Sequence, residues 1–384
     1  RYKLERYQRH ASLLCEFESR HWGFCGRCLS TVWECNPMRK MASVQVVREI
    51  TPIEGADSIE LAKVLGWNVV VKKGEFKQGE RVVFCEVDSL LPENAEYEFL
   101  RKSSYRAPIM ANGTEIQRGG FKIKTIKLRG QVSQGLVLPV SVLGDKQCYV
   151  GEDVSEELGI IKYESAASLG LISGGSGRSK GPFPSFFSKT DEDRIQARPE
   201  LLDVFGSSGT VVTEKLDGTS MTAFLINGQF GLCSRNLWLD ETDAGHQIVR
   251  YAQEHRLHET LAGLSWTLGF EVCVQGELIG PGIQSNKYGL KQHEFRVFNL
   301  IRSSGNEKID PRLAGSHFSV VPPLEPIDIG SLGGDKVSAL VELSRGKSLL
   351  NPSTHREGIV VRSAKNQSLS FKVINPDFLL KNDD

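Results

Sequence analysis

A lysine beside a polar turn is the first feature of the chain that could carry covalent chemistry. Val211 and Val212 lead towards Lys215, and Asp217 and Gly218 follow it. Asp and Gly favour turns, because glycine adopts a positive φ without strain and Asp hydrogen-bonds its own backbone. The pattern predicts that Lys215 ends a strand, where a lowered pKa would make its amine a nucleophile. An ordinary hairpin with a solvated lysine is the competing interpretation.

Further blocks of charged and aromatic residues follow this lysine. Each is ambiguous alone, since Glu277 or Glu357 could be a surface or capping carboxylate and Phe298 is typical of a hydrophobic core. We interpret them together because all are predicted at strand ends. In chain order they are Lys215-Leu216-Asp217-Gly218, Ser234-Arg235-Asn236, Gly276-Glu277-Leu278-Ile279-Gly280, Phe295-Arg296-Val297-Phe298, Glu357-Gly358-Ile359-Val360-Val361-Arg362 and Ser370-Phe371-Lys372.

Short strands and a few helices are predicted to position these blocks. Asn227-Gly228 lies between two apolar runs and is a strong hairpin signal. Residues 245–264 and 336–343 have helical spacing. The predicted strands of this region cover residues 221–225, 231–234, 266–278, 295–301, 358–362 and 369–373.

The region after residue 41 is typical of a small closed barrel. Its short apolar runs alternate with turns, as in an oligonucleotide-binding (OB) barrel. Lys122 and Lys124 share one strand face and Lys127 and Arg129 follow, so this side could track phosphates. Lysines that protect an edge strand from aggregation are the alternative. The predicted strands cover residues 44–47, 61–65, 67–71, 81–84, 121–126 and 135–140.

Length and composition allow two or three soluble domains. The chain has 384 residues, of which 40% are hydrophobic and 24% charged, and its net charge is zero. Nucleic-acid binding must therefore come from local basic patches. No apolar run has the length of a membrane span, so no membrane partner is expected. We predict an extension over residues 1–40, an OB domain over 41–160, a linker over 161–181 and a second domain, which contains the blocks described above, over 182–384.

The first 40 residues differ from the rest of the chain. They contain half of the cysteines, and Cys25 and Cys28 have the spacing of one end of a zinc knuckle without a second such pair. A disordered or processed extension is favoured over a metal site, and a mitochondrial leader is an alternative. The remaining cysteines are expected to be reduced and buried, as in a cytoplasmic or nuclear protein. These are Cys85, Cys148, Cys233 and Cys273.

Taken in order, the blocks resemble the motifs of covalent nucleotidyltransferases, which include ATP-dependent RNA and DNA ligases and capping guanylyltransferases. Residues 276–284 are similar to the extended third motif of nick-sealing RNA ligases, and residues 43–93 to the N-terminal barrel of the Deinococcus and Naegleria type. The resemblance implies an α+β fold: an all-β OB barrel, then an ATP-grasp-like nucleotidyltransferase domain of antiparallel sheets with flanking helices. DNA ligases and capping enzymes carry their barrel after the last motif, so this order favours RNA.

The resemblance also implies a reaction. Lys215 would attack the α-phosphorus of ATP and form lysyl-AMP. AMP would then pass to the 5′-phosphate of a nicked RNA duplex, and the 3′-hydroxyl would attack and release AMP. Glu357 and Asp217 would position a hydrated Mg²⁺ or Mn²⁺, and this metal and Lys372 would lower the pKa of Lys215. No obligatory protein partner is expected.

The remaining implied roles concern the nucleotide. Phe298 would stack on adenine, Glu277 would hold a ribose hydroxyl, and Arg235 would contact sugar or phosphate. Glu214 and Gly218 complete the predicted binding set. The last block departs from the family, because Ser370 stands where many relatives have a lysine. A DNA ligase, a guanylyltransferase and an inactive RNA-binding barrel protein are the alternatives.

Overall fold

The computed structural model describes residues 39–111, 113–166, 169, 178–206 and 209–382. The predicted half zinc knuckle at Cys25 and Cys28 lies outside these residues, as do nearly all of the predicted extension and about half of the predicted linker. Three of the other four cysteines are buried and Cys148 is partly buried, and all four are free thiols.

An N-terminal barrel contains the first strands of the chain. They are β1 (Ala42–Pro52), β2 (Ile59–Val64), β3 (Trp67–Lys72), β4 (Arg81–Cys85), β5 (Ser89–Leu91), β6 (Tyr105–Arg106), β7 (Ile109–Ala111), β8 (Thr114–Gln117), β9 (Gly120–Lys122), β10 (Thr125–Leu128), β11 (Gln131–Gln134), β12 (Leu136–Pro139) and β13 (Ile161–Lys162). One five-stranded sheet has the order β12-β4-β1-β2-β3, and a four-stranded sheet has the order β13-β5-β9-β6. A short helix, α1 (Arg101–Ser104), follows a 3-10 turn.

The strand predicted over residues 121–126 is broken in two. β9 ends at Lys122 and pairs with β5, whereas β10 begins at Thr125 and pairs with β11. The Ile123 N–H still donates to the Ser89 carbonyl at 2.8 Å and the Ile123 carbonyl accepts from the Asp88 N–H at 2.8 Å, so the chain leaves β5 only after Ile123. Lys122 is buried and its ammonium lies 5.0 Å from the Tyr163 ring centroid. The prediction that Lys122 tracks phosphates on an exposed face is therefore wrong.

Two antiparallel sheets form the second domain. Their strands are β14 (Ser179–Pro182), β15 (Thr210–Lys215), β16 (Thr219–Ile226), β17 (Gln229–Cys233), β18 (Leu237–Leu239), β19 (Val272–Ile279), β20 (Glu294–Arg302), β21 (Glu307–Ile309), β22 (Pro323–Leu324), β23 (Gly358–Ser363) and β24 (Ser370–Ile374). The larger sheet has the order β14-β18-β17-β16-β19-β20-β21, and the smaller has the order β22-β15-β23-β24. The predicted hairpin at Asn227-Gly228 is confirmed, since both residues have positive φ and join β16 to β17.

Short helices flank the two sheets. They are α2 (Leu201–Phe205), α3 (Gln247–Glu254), α4 (Leu257–Leu268), α5 (Lys336–Ser344) and α6 (Pro376–Asn382). The helix predicted over residues 245–264 is two helices, because Arg256 takes a φ of 50° between them. The strand predicted from residue 266 begins only at Val272, since α4 continues to Leu268 and ends at Gly269 with a φ of 76°. Every helix among the described residues is too short or too polar to cross a lipid bilayer.

Each sheet of the second domain has its own hydrophobic core. The larger sheet packs against α3 and α4 through residues such as Ile248, Leu261 and Val274. The smaller sheet packs against α2 and α5, with the Phe205 and Phe371 ring centroids 5.0 Å apart. A third cluster contains Ile279 and Phe298 of the larger sheet, Leu216 directly after β15, and Tyr288 of the loop after β19. It therefore brings residues from three of the predicted blocks together.

Candidate active site

Strand register places Lys215 beside a carboxylate. Lys215 is the last residue of β15 and pairs with Gly358 of β23, so Glu357 lies next to it. The Lys215 Nζ is 2.7 Å from the carboxylate of Glu357. The Lys215 side chain is 26% exposed, so the protein covers it only in part. The prediction that this lysine ends a strand beside a turn is confirmed.

Gly218 is required for a reason other than the predicted one. The prediction invoked a positive φ, but the φ of Gly218 lies outside the positive region. A Cβ at this position would instead lie 2.5 Å from the Leu278 carbonyl oxygen and 2.8 Å from Cγ of Glu277. Distances under 3.0 Å are not tolerated, so only glycine lets the turn approach β19. This close approach brings Glu277 next to Lys215.

Asp217 is held by two residues of the loop that follows β19. Its backbone N–H donates to the Tyr288 hydroxyl at 2.7 Å, and its carboxylate forms an ion pair with Lys287. The Lys287 ammonium also lies 4.6 Å from the Phe378 ring centroid in α6. Neither Lys287 nor Tyr288 belongs to a predicted block.

Burial and charge shift the pKa values around Lys215. Burial lowers the pKa of Lys215, but the carboxylates of Glu357, Glu277 and Asp217 outweigh this and raise it above its usual value. The expectation that a metal and Lys372 together lower this pKa stays a prediction, since only protein groups act on Lys215 here and the carboxylates prevail. The pKa of Glu277 is raised to about 8, mainly by burial and also by Glu357 and Asp217, against the lowering effect of Lys215. Three carboxyl groups therefore lie close enough to Lys215 to influence its pKa and one another.

A β-bulge orients Phe298. Gln275 pairs with Asn299 and Gly276 pairs with Val297, so Phe298 is an extra residue in β20. A bulge turns a side chain away from the regular alternation. Phe298 packs in the cluster that contains Leu216, the neighbour of Lys215. The predicted adenine-stacking residue and the predicted nucleophile thus lie close together.

Acidic residues that precede β15 contact two arginines of the predicted blocks. Arg235 donates to Asp191 at 2.8 Å. Ser370 donates to Glu192, whose carboxylate also lies 3.5 Å from Arg362. Ser370 thus bonds to a partly buried carboxylate.

Lys372 and Glu214 occupy different surroundings. Lys372 lies within β24, not at its end, and its N–H donates to the Asp193 carbonyl at 2.8 Å. Glu214 is buried and accepts the Leu349 N–H at 2.8 Å, so its carboxylate supports the loop before β23.

Comparisons with known proteins identify the family. Residues 41–140 match the profile of an OB-fold domain, and residues 209–374 match that of RNA ligase. The Naegleria gruberi RNA ligase with PPi is 34% identical, with 90% of this chain and 99% of that chain covered and a TM-score of 0.77. The chain belongs to the RNA ligase family. The predicted fold, a barrel followed by an antiparallel ligase domain, is confirmed, and no curated protein matches the ligase sequence.

Two further solved structures resemble this ligase. A lysine-to-methionine variant of the Naegleria gruberi RNA ligase with AMP and Mn is 34% identical over 90% of this chain and 100% of that chain, with a TM-score of 0.77. A glutamate-to-alanine variant with ATP and Mn is 34% identical over 90% and 100% of the two chains, with a TM-score of 0.76. Both likenesses extend across the barrel and the ligase domain.

Sequence reasoning missed several residues of the ligase site. Asp191, Glu192, Lys287 and Tyr288 contact predicted site residues but lie far from them in sequence. The run Asp191-Glu192-Asp193 was a visible signal, because consecutive acids ahead of a buried strand need cationic partners. The sequence does not indicate which cationic residues pair with these acids.

Proposed function

We propose that this RNA ligase uses ATP to seal breaks with a 3′-hydroxyl and a 5′-phosphate, through AMP joined to Lys215. The observation that carries the proposal is the partly exposed Lys215 side chain, whose amine lies 2.7 Å from the Glu357 carboxylate, beside the cluster that contains Phe298. The relatives with ATP, AMP and PPi support a nucleotide reaction of this kind.

In the first step the Lys215 amine must lose a proton before it can attack. Glu357 is in hydrogen-bond contact and is the group placed to accept that proton. The neutral nitrogen forms a bond to the α-phosphorus, the bond between this phosphorus and the bridging oxygen breaks, and pyrophosphate leaves. Phe298 would stack on the base, Glu277 would hold a ribose hydroxyl and Arg235 would contact the sugar or phosphate.

The acidic surroundings of Lys215 fit a hydrated divalent cation such as Mg²⁺ or Mn²⁺. The raised pKa of Glu277, about 8, reflects burial and unbalanced carboxylates that a cation would compensate. No group of three or more protein ligands converges within the described residues, which fits an ion that keeps its water. Glu357 and Asp217 would hold it. When bound, the metal supplies positive charge that lowers the lysine pKa and stabilises the phosphoryl oxygens.

In the later steps this ligase would act on RNA. AMP passes from Lys215 to the 5′-phosphate, and the nitrogen–phosphorus bond breaks as the new phosphoanhydride forms. The 3′-hydroxyl then attacks the activated phosphorus, and AMP leaves with the proton transferred to solvent. A nicked duplex with an RNA 3′-hydroxyl strand is the proposed substrate, since a barrel ahead of the ligase domain is the arrangement of nick-sealing relatives.

Intact-protein mass spectrometry tests the nucleophile. With ATP and Mg²⁺ or Mn²⁺, the parent should gain the mass of one AMP and Lys215→Ala should not. Lys291→Ala is a matched control, because this lysine is exposed and outside the site, and it should retain the adduct. An adduct on Lys215→Ala, or an adduct from GTP but not ATP, would contradict the proposal.

A further inference from the structure

The hairpin of β10 and β11 forms an exposed arm on the barrel. Residues 126–131, called the arm here, are all exposed. Arg129 and Gly130 have φ values of 45° and 82°, which makes the tight two-residue turn that matches strand twist. The two strands form a sheet of their own. The arm therefore presents side chains to solvent on both of its faces.

The arm carries an excess of positive charge in a chain whose net charge is zero. Residues 116–144 contain five basic residues and no acidic ones. Arg118 serves the fold, since its guanidinium donates to the Leu90 carbonyl at 3.0 Å, and Lys122 is buried. Lys127 and Arg129 lie on the arm and form no ion pair with any carboxylate in the part of the chain that the structure describes. Their charges are available to a ligand.

Helix α6 connects the arm to the active site. It packs against β10, and Lys127 adds a small effect to the lowered pKa of Asp377 in that helix, whose main cause is the hydrogen bond from Arg345. The next residue, Phe378, lies 4.6 Å from the Lys287 ammonium, and Lys287 forms an ion pair with Asp217. The arm is therefore linked through α6 and Lys287 to Asp217, which lies two positions after Lys215.

We propose that the arm binds the sugar-phosphate backbone of duplex RNA beside the break. This inference rests on the proposed function. The arm has no aromatic residue of the kind on which unpaired bases stack in single-strand binders. Lys127 and Arg129 bind phosphates.

Binding of a nicked RNA duplex to Lys127→Gln/Arg129→Gln tests the arm. Fluorescence anisotropy without ATP should give a Kd at least about fivefold above that of the parent. The loss of two phosphate contacts should lower the slope of log Kd against log salt concentration by about 1.8. When salt is raised from about 50 to 200 mM, the factor by which Kd increases should therefore be about twelvefold smaller for the variant than for the parent. Single-stranded RNA of the same length should show a smaller difference.

A control variant distinguishes binding by the arm from a general effect of lowered positive charge. Lys73→Gln/Lys77→Gln removes equal charge from exposed positions of the same barrel, and its Kd should equal that of the parent. Equal Kd and salt slope for the arm variant and the parent would overturn the inference, as would an equal loss in the control. Failure of the parent to gain AMP would instead contradict the proposed function, because adenylylation needs no RNA.

Discussion

Replacing Glu277 with glutamine should stabilise the protein in a pH-dependent way. The pKa of Glu277 is raised from 4.5 to about 8, first by burial and then by the charges of Glu357 and Asp217. A carboxyl whose pKa is higher in the folded than in the unfolded protein destabilises the fold once it ionises. Folding stability of the parent should therefore fall as pH rises from about 4.5 to 8, relative to Glu277→Gln.

The size of the effect follows from the same pKa. At pH 5 the two proteins should differ by less than about 1 kcal/mol, because the buried carboxyl is still protonated. The difference should grow by about 1.4 kcal/mol per pH unit and reach at most about 5 kcal/mol above pH 8. Relaxation of the site would reduce this limit but not change its sign. Adenylylation should fall in the same variant, because the substitution removes the carboxylate that would hold a ribose hydroxyl.

Urea denaturation at pH 5, 7 and 9, without ATP or divalent metal, measures the free energies of unfolding. Glu307→Gln is the control, because this glutamate is 57% exposed on the edge strand of the same sheet. It should stay within about 0.5 kcal/mol of the parent at every pH. Equal free energies of unfolding for Glu277→Gln and the parent at all three pH values would refute the raised pKa of Glu277. A difference between the two proteins that becomes smaller at alkaline pH would refute it as well.

Three further substitutions test the geometry of the site. Phe298→Ala should raise the KM for ATP in self-adenylylation about tenfold, because a stacking contact contributes about 1–3 kcal/mol, and Phe298→Tyr should raise it less than about threefold. Gly218→Ala should lower the free energy of unfolding by about 2 kcal/mol in denaturation curves, since its Cβ would lie 2.5 Å from the Leu278 carbonyl oxygen. Ser370→Ala should change the KM for ATP less than about threefold, because Ser370 donates to Glu192; a tenfold rise would show that it contacts the nucleotide instead.

The strands and the order of the blocks could be predicted because they depend on local patterns. Apolar runs and turn residues located β15, the hairpin at Asn227 and the closing strand pair. The end of β15 at Lys215 was predictable because Asp217 and Gly218 stop a strand directly after it. These features need only a few consecutive residues.

The details that position the chemistry depend on contacts between distant residues. The bulge at Phe298 is one extra residue in a strand pair and leaves no trace in the apolar alternation of β20. Lys287 reaches Asp217 from a loop 70 residues away. The raised pKa of Lys215 is a sum over carboxylates from three chain segments. None of these follows from spacing along the sequence.

Sealing of a nicked duplex tests the central claim most directly. The 3′-hydroxyl strand is made of RNA or of DNA, and the 5′-phosphate strand and template are kept constant. With ATP and Mg²⁺ or Mn²⁺, the parent should join the nick with an RNA 3′-hydroxyl strand and Lys215→Ala should not. Equal joining of an all-DNA nick, or joining by Lys215→Ala, would contradict an RNA ligase that acts through Lys215.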